Sequence, residues 1–394
     1  MMKTRKELNN TLFRSLTWTV LLTLLFLLYT WTENPASELL IALPFFMVLY
    51  FLIFSVGEEE VSAEIRGWIG SDSRKMMLFP SFLIVICFVY VLLNKQNPFQ
   101  GTLSLFPYLI FFPVLVFAAR KETDSKIDWL DFSVFVFFLL SATLTGIVPK
   151  GNLPFNGEGF DSVFRIVIVL TAVYAFGIVR GLADVGFFPE LNRKYLWTAL
   201  RAWLAFYVFV IVIGYAVGFV KFVGHDAVTT ELIRNITFTL LVTFLHTALY
   251  EELFFRGILQ NMLAKRIHQS GSWLIFWKWG LVILMPLALL VGYTLKGGMQ
   301  WFPALISLAL FGAAYGIEKA GKNNTGVYTS LAISSVLFGL VHYHSGAIVY
   351  IGFACLAGWA YGYTYIKTKN VFYSALVHTL VNTSALIFGL ELMK

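Results

Sequence analysis

Charged side chains are scarce in this sequence. Asp, Glu, Lys and Arg make up 13% of its 394 residues, against about a quarter in a soluble domain whose surface must be wetted. Hydrophobic residues reach 58% and the mean hydropathy is +0.76, so a soluble globular protein is excluded. Cysteine is nearly absent. Cys87 and Cys355 each lie inside an apolar stretch, which excludes a disulfide framework and a thiolate metal site. There is no HExxH, the usual helical zinc-protease pattern. No Pro- or Ser-rich linker divides the chain, and no repeat is apparent. The net charge of +7 could suggest a nucleic-acid partner in a soluble chain. Here the cations sit between hydrophobic runs, where orientation in a membrane accounts for them and no nucleic acid is implied.

Long apolar runs fill the space that charge vacates. A spanning helix needs about 20 mostly apolar residues. Candidates lie near 15–32, 38–56, 76–93, 105–119, 133–148, 163–183, 197–220, 236–263, 273–294, 301–320, 327–345, 347–366 and 371–390. The expected fold is therefore all-α, a polytopic transmembrane helix bundle of about 13 spans (range 11–13). The basic N-terminal segment MMKTRKELNNTLFRSL precedes an apolar run without a small-residue cleavage site, and reads as a retained signal anchor. Placing the N-terminus inside puts nineteen of the 29 Lys and Arg on inside loops and seven outside, leaving Arg201, Arg256 and Lys278 within spans. That asymmetry follows the positive-inside rule and suits the cytoplasmic (inner) membrane of a bacterial-type cell. Residues 57–75 and 120–132 read as solvated charged loops. The spacings Gly214/Gly218, Gly312/Gly316 and Gly358/Gly362 read as close helix packing.

Ionisable residues inside spans carry the functional information, since each costs roughly 2.5–3.5 kcal/mol at a helix centre on insertion scales. The run 236–263 holds Glu251, Glu252 and Arg256 among Phe and Leu. Glu252 and Arg256 are spaced i, i+4 with the acid first, the favourable order for a pair on one face. Glu251 projects about 100° away. One acid is thus neutralised and positioned, and the other is left for chemistry. His342 follows Phe338 by one turn, and His378 shares a face with Asn382. At 1.5 Å per residue, Glu251, His342 and His378 fall at depths of about 18, 22 and 10 Å, compatible with one buried site. Peptide hydrolysis needs a base for water, donors for the oxyanion and an acid for the leaving amine, and these residue types can supply them. They can equally hold a divalent metal such as zinc through Glu251, His342 and His378. The same charges would suit a proton- or ion-coupled transporter, and a non-catalytic membrane scaffold would need them only for packing.

In order along the chain, EExxxR (Glu251, Glu252, Arg256), FxxxH (Phe338, His342) and HxxxN (His378, Asn382) resemble the three motifs of the CPBP intramembrane protease family. That family is also called Abi and includes the type II CAAX prenyl proteases. The resemblance covers roughly residues 236–390. It implies an intramembrane endopeptidase cutting in or near a membrane-embedded or lipidated substrate segment. Glu251 matches the glutamate that activates water, assisted by the position of His342. Glu252 and Arg256 match the pair that orients the site. His378 and Asn382 match positions tied to oxyanion stabilisation or, for His378, to metal ligation. The implied division is an N-terminal transmembrane region, 1–235, of unassigned role and a protease domain, 236–394. Family members place the second motif a few tens of residues after the first, whereas 81 residues separate Arg256 from Phe338 here. An inserted helix pair at about 267–325 accounts for the excess, and a pair restores the chain direction so that His342 enters from the same side.

Overall fold

Lipid offers a bare backbone no hydrogen-bond partner, so apolar runs of this length must bond internally, as helices. In the computed structural model each of the thirteen runs is helical. Residues 5–30, 35–95, 97, 99, 104–120, 126–144, 163–295, 297–321 and 325–393 are described. Lys3, Lys121, Lys150, Lys296, Lys322 and Lys394, counted above for orientation, lie outside them, as do the run ends at 31–32 and 145–148. The helices are α1 (Arg5–Thr30), α2 (Ala36–Val56), α3 (Glu59–Ile69), α4 (Ser73–Leu93), α5 (Phe106–Ala119), α6 (Trp129–Leu144) and α7 (Val163–Val179). They continue as α8 (Arg193–Ala216), α9 (Thr230–Ser270), α10 (Trp273–Thr294), α11 (Phe302–Ala320), α12 (Val327–Val341), α13 (Ile348–Thr368) and α14 (Val371–Phe388). Among the described residues, seven are long and apolar enough to cross a membrane on their own: α1, α2, α4, α8, α9, α10 and α14. The apolar helices α5, α6 and α7 are shorter. This is an all-α, multi-pass integral membrane protein.

The chain forms two compact units, Met1–Pro189 and Glu190–Lys394. In the first, α3 corrects the reading of 57–75 as a loop. Its charges hide an amphipathic helix that buries Val61, Ser62 and Ile69. Arg66 reaches back to the Gly177 carbonyl at 2.8 Å, so this segment is packed rather than solvated. Asp131, wholly buried on α6, is neutralised by Arg180, and Arg14 pairs with the buried Glu58.

The second unit holds all three motifs. Its tightest seam is between α12 and α13, where a Cβ added at Gly339 would overlap the Cys355 thiol. One at Gly358 would meet Ser335 Cα at 3.0 Å, and one at Gly362 would overlap Leu331 and Gln260. Small residues let these backbones approach, as the spacing at 358/362 suggested. The other two spacings act differently. Gly312 and Gly316 are exposed, with no neighbour within 4 Å among the described residues, because that face of α11 points outward. Gly218 is no packing residue either: with φ +72° it ends the turn after α8. The chain then enters a two-stranded antiparallel ribbon, β1 (Val220–Phe222) with β2 (Leu390–Leu392), in register Lys221 opposite Glu391. Sequence placed Val220 and Leu390 at the ends of spans. Gly389, at φ +61°, instead stops α14 at Phe388 and lets the backbone pair outside the helices. Cys87 and Cys355 are both buried and free.

Candidate active site

Helix α9 begins where Thr229 accepts the Leu232 amide at 3.1 Å, and ends at Gly271 in the left-handed region. Within it, two stretches widen to π-helical geometry, Thr243–Ala248 and Leu253–Gln260, on either side of Leu249–Glu252. Such insertions recur at functional sites because they re-aim side chains without breaking a helix. Both glutamates of the first motif lie between them. Glu252 and Arg256 are fully buried, with Oε2 and Nε 3.1 Å apart, the ion pair expected from their spacing. The contact is close but not aligned as a hydrogen bond. The guanidinium instead lies over the Phe338 ring at 4.8 Å, with the Tyr361 and Phe255 rings 5.7 and 5.8 Å away. Aromatic faces thus supply part of the electrostatic compensation that water gives elsewhere.

His342 enters from α12. The sequence reading carried this helix to residue 345, but it ends at Val341. His342 opens a single 3₁₀ turn, His342–Ser345, closed by Gly346 at φ +71°. The ring therefore sits at a helix terminus, where it can turn back. Its Nδ1 donates to the Phe338 carbonyl at 2.7 Å, and its ring lies 4.7 Å from that of Phe338. This explains the one-turn spacing of FxxxH in physical terms. The far end of α12 is capped by a residue of α11. The buried Glu318 carboxylate accepts the amides of Gly326, Tyr328 and Thr329 at 3.1, 2.7 and 3.3 Å. The helix pair α10–α11, read from sequence only as preserving chain direction, also holds the start of the His342 helix. Glu318→Ala is expected to lower stability by about 2–3 kcal/mol, since it strips a cap and a favourable charge from a buried helix start. Glu318→Gln should lose less, because one acceptor remains. Thermal unfolding in detergent tests this, and an Ala variant melting with wild type would refute it.

His378 comes from α14, whose start is fixed by Asn370 accepting the Phe372 amide at 2.9 Å. Its Nδ1 donates to Glu252 Oε1 at 2.9 Å, and the Tyr361 ring stacks on it at 4.6 Å and 11°. The buried Glu252 therefore binds His378 with one oxygen and faces Arg256 with the other. Glu251 does something different. Its Oε2 lies 3.9 Å from Nε2 of His342 and 3.9 Å from Nε2 of His378. That is too long for a hydrogen bond. It suits one water at about 2.8 Å from each partner. Oε2 is buried and makes no hydrogen bond among the described residues, although the side chain as a whole is 26% exposed.

The tautomers follow from these partners. A carbonyl and a carboxylate can only accept, so both histidines carry a proton on Nδ1 and, when neutral, turn an Nε2 lone pair towards Glu251. Three acceptors then converge, and the point between them must hold a proton donor or a cation. Ligands of one tetrahedral zinc sit about 3.4 Å apart, given bonds of about 2.1 Å. The 3.9 Å separations are wider. Among the described residues no three His, Cys, Asp or Glu are grouped closely enough to hold a metal. The metal set Glu251, His342 and His378 read from sequence is therefore not preassembled in this geometry.

Beside the histidines lies a cavity of about 340 Å³ whose walls include Phe338, His342, Tyr350, Tyr361, His378 and Asn382. Asn382 sits one turn beyond His378, exposed, and lines this wall. All six motif residues thus converge. Sequence reasoning missed Tyr361, Tyr350 and Gln260. Gln260 carried a signal, one further i, i+4 step along the Glu252–Arg256 row. It donates to the Gly362 carbonyl at 3.2 Å and accepts from Ser334, tying α9 to α12 and α13. The tyrosines had none, being two of many aromatics in an apolar helix. His344, left out of the site, turns its Nδ1 to the Val341 carbonyl at 3.0 Å.

Residues 233–320 and 318–384 match the family described as Rce1-like, type II CAAX prenyl endopeptidase Rce1-like. The resemblance read from the three motifs is thereby shown over this region, and the matched stretches include all six site residues. No curated protein matches the chain, and no solved structure does.

Proposed function

We propose that this chain is an intramembrane endopeptidase that hydrolyses a peptide bond in or near a lipidated substrate segment, with water activated at Glu251. One observation carries the reading: Glu251 Oε2 is equidistant from two histidine Nε2 atoms whose opposite nitrogens are already committed. A water at that point can donate to two of the three acceptors, Glu251 Oε2 and one histidine Nε2, and keeps an oxygen lone pair for attack. Glu251 takes a proton as the oxygen attacks the scissile carbonyl, and the carbonyl electrons move onto oxygen. The Asn382 amide, from the cavity wall, donates to that oxyanion, and His378 Nε2 does so when the proton taken by Glu251 is passed to it. Collapse of the intermediate breaks the C–N bond, and the proton held at Glu251 or passed to His342 leaves with the amine. Glu252 and Arg256 position His378 and do not touch substrate. On this reading the region read from sequence as 1–235 has no assigned role up to Pro189, while Phe206, Tyr207 and Val210 of α8 help to wall the active-site cavity. The loop charges favour an N-terminus inside a bacterial-type inner membrane.

The test is reconstitution of the full chain in liposomes with a prenylated CAAX-type peptide, followed by mass analysis of the products. Cleavage is expected near the lipidated end, and is expected to persist after chelator treatment. Solute or proton flux without any new peptide terminus would instead identify a carrier.

A further inference from the structure

A second cavity, about 690 Å³, opens between α8 and α13, and neither Glu251 nor Glu252 lines it. Its size lies within the roughly 300–1,000 Å³ of pockets that hold one small ligand. Its lining is ordered by polarity. Lys194 stands in the first turn of α8 and Lys367 in the last turn of α13, so both lie at one end. Arg201, two turns into α8, extends the charge about 10 Å inward. The opposite end is Phe209 and Leu356, about 22 Å and 16 Å along their helices from the two lysines, with Trp359 between. No Asp or Glu lines the groove, and among the described residues none of the three cations is paired with a carboxylate. Lys367 leans on the Tyr363 ring at 5.5 Å. Arg201 is the least expected of the three, a cation within an apolar helix that is itself long enough to span a membrane.

Three unpaired cations at one end of an aromatic and aliphatic groove complement a molecule with an anionic head and an apolar tail. The surface beside it on α8 is apolar, with Leu204, Val208 and Val212 exposed, so the occupant arrives laterally from lipid and not from water. We infer that this groove is a binding site for an anionic phospholipid, its phosphate held by Lys194, Arg201 and Lys367 and one acyl chain laid along Phe209, Leu356 and Trp359. The arrangement is a basic cluster at the membrane interface with a built apolar extension, the pattern by which proteins select anionic over zwitterionic lipid. It goes beyond the hydrolase reading and does not depend on it.

Trp359 provides the readout. The full chain is placed in phosphatidylcholine nanodiscs containing a minority of brominated phosphatidylglycerol or of brominated phosphatidylcholine. Quenching at Trp359 is taken as the difference between wild type and Trp359→Phe. Several-fold stronger quenching by the anionic lipid is expected, with the preference falling about fivefold for each cation changed to Gln. K194Q, R201Q and K367Q are made singly and together. Where the triple variant fails to fold, the single variants decide. Equal quenching by both lipids in wild type overturns the inference, as does an unchanged preference in the single variants. Displacement of the quencher by inorganic phosphate would assign the cations to a soluble anion and also overturn it. So would displacement by a prenylated peptide with no headgroup preference.

Discussion

Glu251→Gln is expected to lower kcat for peptide cleavage by about 10³-fold, with little change in KM. The amide keeps the volume and polarity of the side chain but has no site for a proton, and loss of a positioned general base costs roughly 10²–10⁴ in rate. Because Oε2 makes no hydrogen bond among the described residues, the substitution breaks none that hold the fold. Expression and thermal unfolding should therefore match wild type. His342→Ala should fall in the same range by a different route, removing one of the two nitrogens that flank Oε2. Steady-state cleavage of a lipidated peptide by both purified variants decides the matter. Cleavage at wild-type rate in both would end the assignment of the chemistry to Glu251 and His342, while lost stability with lost cleavage would point to a structural role.

Arg256→Met is expected to act first on stability, lowering it by about 3–5 kcal/mol. Removing one partner of a buried ion pair leaves the other as an uncompensated charge, and both Glu252 and Arg256 are fully buried. Met roughly keeps the apolar stem but cannot face Glu252 or lie as a cation over Phe338. The double variant Glu252→Gln/Arg256→Met should recover a large part of the loss, because no unpaired charge then remains. A double-variant cycle followed by unfolding in mild detergent measures the coupling. Additive losses would show that the two side chains act independently. Glu252→Gln alone should also reduce cleavage, since the amide can donate to His378 Nδ1 and reverse the tautomer that Glu252 sets.

Sequence revealed the site through cost. Three charges within six residues of an apolar run had to face protein, and the i, i+4 order of Glu252 and Arg256 named the pair that would neutralise itself. The shared face of His378 and Asn382 was legible in the same way. What stayed hidden arises from backbone geometry and tertiary contact. Nothing in the composition of Leu253–Gln260 marks it as π-helical, so the path by which adjacent glutamates both reach His378 could not be read. The end of α12 at Val341 was obscured because no glycine or proline breaks the chain between Val341 and Gly346. Glu318 caps a helix eight residues downstream through a turn that sequence shows only as polar. Helix α3 was lost beneath its charges, because a solvated face and a loop look alike until the opposite face is seen to be buried.

The imidazole protons fixed on Nδ1 make the two histidines reporters of their own chemistry. In nitrogen-15 spectra of labelled protein, each neutral ring would show one protonated and one bare nitrogen, and the bare one is the nitrogen 3.9 Å from Glu251. A proton reaching the centre would register at Nε2 while Nδ1 stayed in place, held by Phe338 on one ring and Glu252 on the other. A bound cation would move both Nε2 signals together. The hydrogen bonds that aim the rings thus separate, in a single spectrum, the protonation state of the site from its occupancy.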